Sequence, residues 1–304
     1  MAGSSKKVIY AALAGNTAIA IIKFIAAAMT GSSAMLSEGI HSVVDTGNQG
    51  LLLYGMKRAA KPADKQFPFG HGKEIYFWSF VVAILIFAVG SGVSFYEGIH
   101  RILDPQVIEN PELNYIVLGV AMVFEGAAWF FALNEFRRAK GKWGYIEAIQ
   151  RSKDPTIFVV LFEDSAAMLG LAVAFLGILL SQITGILIFD GIASVVIGFI
   201  LGGTAIWLAW ETKSLLIGES ANQIVVEGIQ KMVEKTAGVE HVNELLTMHM
   251  GPEYILVNLS LDFSDSLSTG EIEKTISMID QQVKAAYPPV KRLFIEAEAW
   301  CANC

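Results

Sequence analysis

Residues 34–53 read AMLSEGIHSVVDTGNQGLLL. A mostly apolar stretch of roughly 20 residues is what an α-helix needs to cross the hydrocarbon core of a bilayer. Yet this one carries Glu38, His41, Asp45 and Asn48, and a charge at bilayer depth costs at least about 2.5–3.5 kcal/mol. At 100° per residue the four polar side chains fall within an arc of about 80° on one helix face. His41 and Asp45 stand four residues apart in the motif His-Ser-Val-Val-Asp, so both can reach one point. An imidazole beside a carboxylate suits a borderline divalent cation such as Zn²⁺, and Mn²⁺ or Fe²⁺ also fit. A purely structural use stands beside that reading. An intramembrane histidine can cap a backbone carbonyl, and a carboxylate can pair with Lys23 in the preceding apolar stretch.

Five other stretches are long and apolar enough to span: 8–29, 75–99, 115–132, 157–180 and 187–210. Polar or Gly/Pro-bearing links separate them. The first is too long for a cleavable signal peptide and has no small-residue cleavage site after it, so it is expected to remain. Composition agrees with a membrane protein. The 304 residues are 54% hydrophobic and 17% charged, with a mean hydropathy of +0.51, whereas a soluble domain carries about 45–50% and about 25%. A soluble enzyme and a disordered chain are excluded on this ground, and two cysteines exclude a disulfide scaffold.

Orientation follows from Lys and Arg in the short loops. Lys6 and Lys7, the group from Lys57 to Lys73 and the group from Arg137 to Lys153 fall on one side, with only Arg101 on the other. That asymmetry places both termini in the cytoplasm of a multi-pass protein, with a bacterial inner membrane as the expected home. The chain divides into a transmembrane domain, 1–211, and a tail, 212–304. The first holds 16 acidic against 15 basic residues and the second 13 against 7. No basic domain is present to bind nucleic acid. The tail changes periodicity. Helical spacing over 224–236 is followed by strand patterns at 242–250 and 254–263, helical spacing at 269–285 and a third strand at 290–297. The expected architecture is thus six transmembrane helices followed by a cytoplasmic α+β domain of order αββαβ.

Other ionisable groups lie within the apolar stretches. Glu163 and Asp164 sit side by side in the fifth, and neighbours on a helix point about 100° apart, so one of the two is expected to face a shared site. Glu125, Lys23, Asn16 and Asp190 read as packing or proton-relay groups. The first cytoplasmic loop holds Asp64, His71 and the run Pro-Phe-Gly-His-Gly-Lys, where flanking glycines allow close backbone approach in a tight turn or a secondary metal site. In the tail, His241 and His249 are separated along one strand, and Cys301 and Cys304 have half-site spacing.

Six spans, His41-Ser-Val-Val-Asp45 in the second, an Asp in the fifth, Phe69-Gly-His-Gly-Lys73 before the third and an αββαβ tail together resemble the cation diffusion facilitator family. The segments Asn48-Gln49-Gly50, Glu125-Gly126-Ala127, Asn134-Glu135 and 161–167 most resemble its zinc transporter nine branch. The resemblance implies a homodimer that exchanges a divalent metal for protons and carries no prosthetic group. It implies a metal site in which His41 and Asp45 form one pair and Asp164 half of another. Val160 stands where many members have a histidine or aspartate, which leaves Glu163, Asn48 or water to complete the shell. Asp64 and His71 match two of three ligands of the family's loop site, with Phe67 at the third. Asn243 and Asn258 occupy positions where some members place tail histidines.

The leading expectation is therefore a secondary transporter exporting Zn²⁺ by proton antiport, with an Mn²⁺ or Fe²⁺ exporter of the same architecture as the alternative. A multispan metalloenzyme is the other class. A zinc protease would show HExxH and a diiron hydroxylase many clustered histidines. This chain has five histidines, one of them inside a span core.

Overall fold

In lipid every backbone N–H and C=O must be satisfied within the protein, so apolar stretches of this length become helices. A computed structural model describes residues 2–108, 110–140, 144 and 153–300, with side chains from Asn16 onward in the first helix. Lys142, Arg151, Cys301 and Cys304 lie outside the described residues, as do the side chains of Lys6 and Lys7. Among the described residues there are six long helices: α1 (Ala2–Thr30), α2 (Ser33–Ala59), α3 (Glu74–Leu103), α4 (Pro111–Lys140), α5 (Pro155–Thr184) and α6 (Ile188–Ile217). Four of them, from α3 to α6, contain segments long and apolar enough to cross a membrane on length and composition alone. The polar residues of α2 lower its hydropathy, and they are the residues that define its site face.

The chain separates into two units. The first comprises residues 1–57, 77–149 and 155–212; the second comprises 58–76, 150–154 and 213–304. The loop after α2 thus groups with the tail, although sequence alone put it with the helices.

Within the first unit, helices meet through small residues, which let backbones approach closely. A Cβ at Gly98 of α3 would fall 2.7 Å from the Val195 backbone N of α6. Nearby, α3 contains a π-helical turn, Ile86–Ser91, which the sequence did not announce. Ser91 Oγ at its end donates to Gly198 O of α6 at 2.9 Å, so the irregular turn delivers a cross-helix hydrogen bond.

The first turn of any helix leaves N–H groups without intrahelical acceptors. For α2 the acceptor comes from another helix. Gly31, at φ 68°, breaks the chain after α1. The Asp190 carboxylate then accepts from Ser32 Oγ (2.5 Å), Ser33 N (2.7 Å), Ser33 Oγ (2.9 Å) and Ala34 N (3.4 Å). Arg101 Nε stands 3.7 Å away as its counter-charge. Asp190, buried at the start of α6, is therefore a cap supplied in trans that fixes the entry of α2.

The second unit has the αββαβ order. Helix α7 (Gln223–Val233) precedes β1 (Val239–Gly251) and β2 (Tyr254–Phe263); α8 (Thr269–Ala286) and β3 (Val290–Ala297) follow. The sheet order is β1-β2-β3, antiparallel then parallel. Alternate residues of β2, Ile255, Val257, Leu259 and Leu261, are buried against Ile229, Val233, Ile279 and Val283 of the two helices. Strand β1 begins three residues earlier than its sequence pattern, because register shifts after Val239, Val242 and His249 interrupt the alternation that marks a regular strand. Helix α8 starts with a capping box in which the Glu271 carboxylate accepts from Ser268 N at 2.9 Å. The bond from Ser268 Oγ, and then that from Ser268 N, hold the Glu271 carboxyl below its ordinary pKa.

Two outcomes follow from these contacts. Asp190→Ala strands the buried N–H groups of Ser33 and Ala34, at a cost of about 1–3 kcal/mol, so it should lower the melting temperature in detergent more than Asp190→Asn does. An unchanged melting temperature would show that the clamp carries no stability. In the second unit, burial holds the His249 imidazole below its usual pKa of 6.5, opposed by its contact with Gly251 O at 3.2 Å. The unfolded chain takes up that proton near its ordinary pKa while the folded chain resists, so stability falls as pH drops below about 6.5. Pulse proteolysis of the full chain in urea should give a midpoint that declines between pH 7 and 5.5, and His249→Gln should flatten the decline.

Candidate cation site

The polar face of α2 meets α5 and α4. His41 Nε2 lies 3.3 Å from Asp45 Oδ2, the geometry expected of residues four apart. Both side chains are buried or nearly so, at 2% and 18% exposed. One turn further, Asn48 Nδ2 donates to Glu163 Oε1 of α5 at 2.9 Å, joining α2 to α5. Asp45, Glu125, Glu163 and Asp164 line one small cavity, together with Asn16, Ser42 and Gln49.

Five sequence expectations meet this geometry. His41 and Asp45 do come together, but of the two only Asp45 is among the residues lining the cavity. Both Glu163 and Asp164 border the cavity, although adjacent helical residues were expected to leave one facing away. Asn48 accounts for this, because it draws the Glu163 carboxylate towards α2. Val160 packs against the apolar core of the unit and is not part of the cavity lining. Lys23 does pair with carboxylates, but its partners are Glu38 and Glu125, at 3.1 and 2.8 Å. Glu125, read from sequence as a packing or relay group, is in the cavity wall. Its sequence signal was only that of a lone carboxylate in an apolar helix.

Several buried polar atoms around the cavity have no hydrogen-bond partner: both ring nitrogens of His41, Asp45 Oδ1, Asn48 Oδ1 and Glu125 Oε2. Buried polar groups are nearly always paired, so a cluster of exceptions needs an explanation. The atoms are the nitrogen and oxygen donors a divalent cation takes. As the side chains stand, no three His, Cys, Asp or Glu among the described residues converge closely enough to hold an ion.

The loop of the second unit brings its two expected residues together. His71 Nε2 and Asp64 Oδ2 are 2.9 Å apart, and the ring of Phe67 lies 4.6 Å from that of His71, centroid to centroid. Asp64 also accepts from Gln66 N and Phe67 N. The bond with His71, and then those backbone donors, hold the Asp64 carboxyl below its ordinary pKa. The two glycines around His71 serve different ends: Gly70 takes a φ of 84°, and Gly72 allows a close approach. A Cβ at Gly72 would fall 3.2 Å from the Gly251 Cα, so the loop lies backbone to backbone on the β1–β2 turn. In the sheet, His249 is buried, whereas His241 is exposed and packs edge-on against Trp300 at 5.2 Å. Asn243 Nδ2 is committed to Ser260 Oγ and Glu298 O.

Comparison with known proteins sets this arrangement in a family. The model of the cation efflux transmembrane domain matches residues 9–217, which takes in all six long helices from within α1 to the end of α6. The chain is 33% identical over 266 residues to the Homo sapiens protein called proton-coupled zinc antiporter SLC30A9, mitochondrial, covering 86% of this chain and 47% of that protein. It is 29% identical over 265 residues to metal tolerance protein C4 of Arabidopsis thaliana, covering 86% and 58%. The chain thus spans about half the length of these curated relatives. Among solved structures, a MamM CTD matches at 18% identity and a TM-score of 0.24, over 26% of this chain and 98% of that one. A polar face on α2 opposed by carboxylates of α5, set in a matched efflux domain, leads to one assignment: the chain belongs to the cation efflux family, the cation diffusion facilitators, in its zinc transporter nine-like branch, a family of membrane transporters and not of enzymes.

Proposed function

We propose that this protein exports a divalent cation, Zn²⁺ foremost, from the cytoplasm in exchange for protons, and that the cation binds between α2 and α5. The ligands are His41, Asp45 and Asp164, with Glu163 completing the shell. One observation carries the reading: His41 Nδ1 and Asp45 Oδ1 are buried without a hydrogen-bond partner, and Asp45 lines a cavity walled by the carboxylates of α5. An imidazole and carboxylates bind either a metal or protons, because ligation requires their deprotonated forms. Opening the cavity alternately to each side then converts a proton gradient into metal export. The name of the human relative, a proton-coupled zinc antiporter, supports Zn²⁺ and protons as the exchanged ions.

The cavity wall favours a second cargo. It presents four carboxylates, with the imidazole beside one of them, and oxygen-rich sites suit harder ions such as Mn²⁺ and Fe²⁺. The transport domain, 1–211, spans a bacterial inner membrane, and the 212–304 domain and both termini lie in the cytoplasm. The protein works as a homodimer. Asp64 and His71 form a secondary cation site, and the chain holds no prosthetic group. Electrostatic attraction from the tail, with 13 acidic against 7 basic residues, is diffuse.

Purified protein in proteoliposomes with an imposed pH gradient tests the reading. Wild-type protein should accumulate Zn²⁺ against its gradient. Asp45→Ala and Asp164→Ala should each reduce flux at least about 100-fold, the scale of losing about 2.7 kcal/mol at a charged ligand, while remaining folded and inserted. Normal flux in either folded variant sinks the assignment of that ligand.

A further inference from the structure

Lys23 is left unexplained by the site as drawn. It is wholly buried in α1, and its Nζ donates to Ser42 Oγ at 2.8 Å, Glu125 Oε1 at 2.8 Å and Glu38 Oε2 at 3.1 Å. Replacing a buried ion pair by apolar side chains is often neutral or stabilising, so three charges buried together among membrane helices are weak evidence for stability alone. Its two carboxylate partners differ. Glu38 is fully buried and is not in the cavity wall. Each carboxylate has one oxygen held by the ammonium and a second, Glu38 Oε1 or Glu125 Oε2, buried with no hydrogen-bond partner, but Glu125 alone of the two is in that wall. Meanwhile Val160, the position from which a fourth protein ligand was missing, packs in the apolar core.

We propose that Glu125 of α4 is a further ligand for the transported cation and that Lys23 is its positioning residue, a tethered cation that holds Glu125 until a divalent ion takes it over. The inference rests on the α2–α5 site proposed above. A divalent ion attracts the carboxylate with twice the Coulomb energy of an ammonium at equal distance. Lys23 gives up one bond in the exchange and keeps Glu38 and Ser42. A monovalent cation offers Glu125 no advantage over the ammonium it already has, so the pair discriminates by charge. The chamber thereby gains a carboxylate from a third helix, which makes up for the ligand that Val160 cannot supply.

Zn²⁺ titration calorimetry on the full chain in detergent tests this with a double-mutant cycle. Glu125→Gln should weaken Zn²⁺ binding by about tenfold or more, the scale of one charge-assisted contact. Lys23→Met combined with Glu38→Gln removes both charges of the Lys23–Glu38 pair and frees Glu125 of its ammonium, and it should tighten binding several-fold. Added to Glu125→Gln, the same pair of changes should have no effect. Weaker binding in Lys23→Met/Glu38→Gln, equal in both backgrounds, would mean a merely structural lysine and overturns the proposal. Should that variant fail to fold, Lys23→Arg serves in its place. Its guanidinium grips a carboxylate in two places, so it should weaken Zn²⁺ binding, and unchanged affinity counts against the proposal. Asp45→Asn separates the two readings. Binding lost there but unchanged in Glu125→Gln overturns this inference alone, while binding unchanged in both overturns the parent site as well.

Discussion

The ammonium of Lys23, bound on one side by Glu38 of α2 and on the other by Glu125 of α4, ties three helices together at the level of the cavity. Charge inside a membrane domain is tolerated only when it is answered, and this requirement organises the whole polar seam. Lys23 is matched to carboxylates on two other helices, Asp45, Glu125, Glu163 and Asp164 line the cavity, and His41 lies against Asp45. Asn48 binds Glu163 across to α5, and Ser42 is held by the same lysine that holds Glu38. The unmatched donors that remain are concentrated where a cation would bring the missing charge.

The same logic shapes the end of the seam. Helix α2 begins at a break where its first amide groups would otherwise lack acceptors, and Asp190 of α6 supplies them while Arg101 of α3 offsets its charge. The site helix is thus anchored at one end by one buried carboxylate and held along its length by the Lys23 ammonium and the Glu163 carboxylate. Its polar face keeps a fixed rotation relative to α5, so His41 and Asp45 are presented as a pair and not merely as neighbours in sequence.

Much of this was legible in advance because it is local. The six helices follow from runs of apolar residues, the tail order from switches between periods of 3.6 and 2, and the approach of His41 to Asp45 from a spacing of four. The close packing of the Phe-Gly-His-Gly-Lys loop follows from two glycines beside a histidine. The pairings that decide the chemistry are not local. Lys23 and Glu125 are 102 residues apart, Asn48 and Glu163 are 115, and Ser33 and Asp190 are 157. No period in a single sequence records which of several buried carboxylates meets which cation. Glu125 was therefore undervalued, and the turning of Glu163 towards α2 by Asn48 was missed. The π turn of α3 and the early start of β1 escaped for a different reason, since both depart from the regular repeats on which such reading depends.

The central claim is that a divalent cation resides between α2 and α5 on its way across the membrane. A crystal of the full chain soaked in Zn²⁺, with anomalous differences recorded on both sides of the zinc edge, tests it most directly. The account predicts a strong peak within coordination distance of Asp45 and Asp164, with His41 turned towards it. Zinc peaks confined to the Asp64–His71 loop or to the sheet of the second unit, with none between α2 and α5, would contradict it.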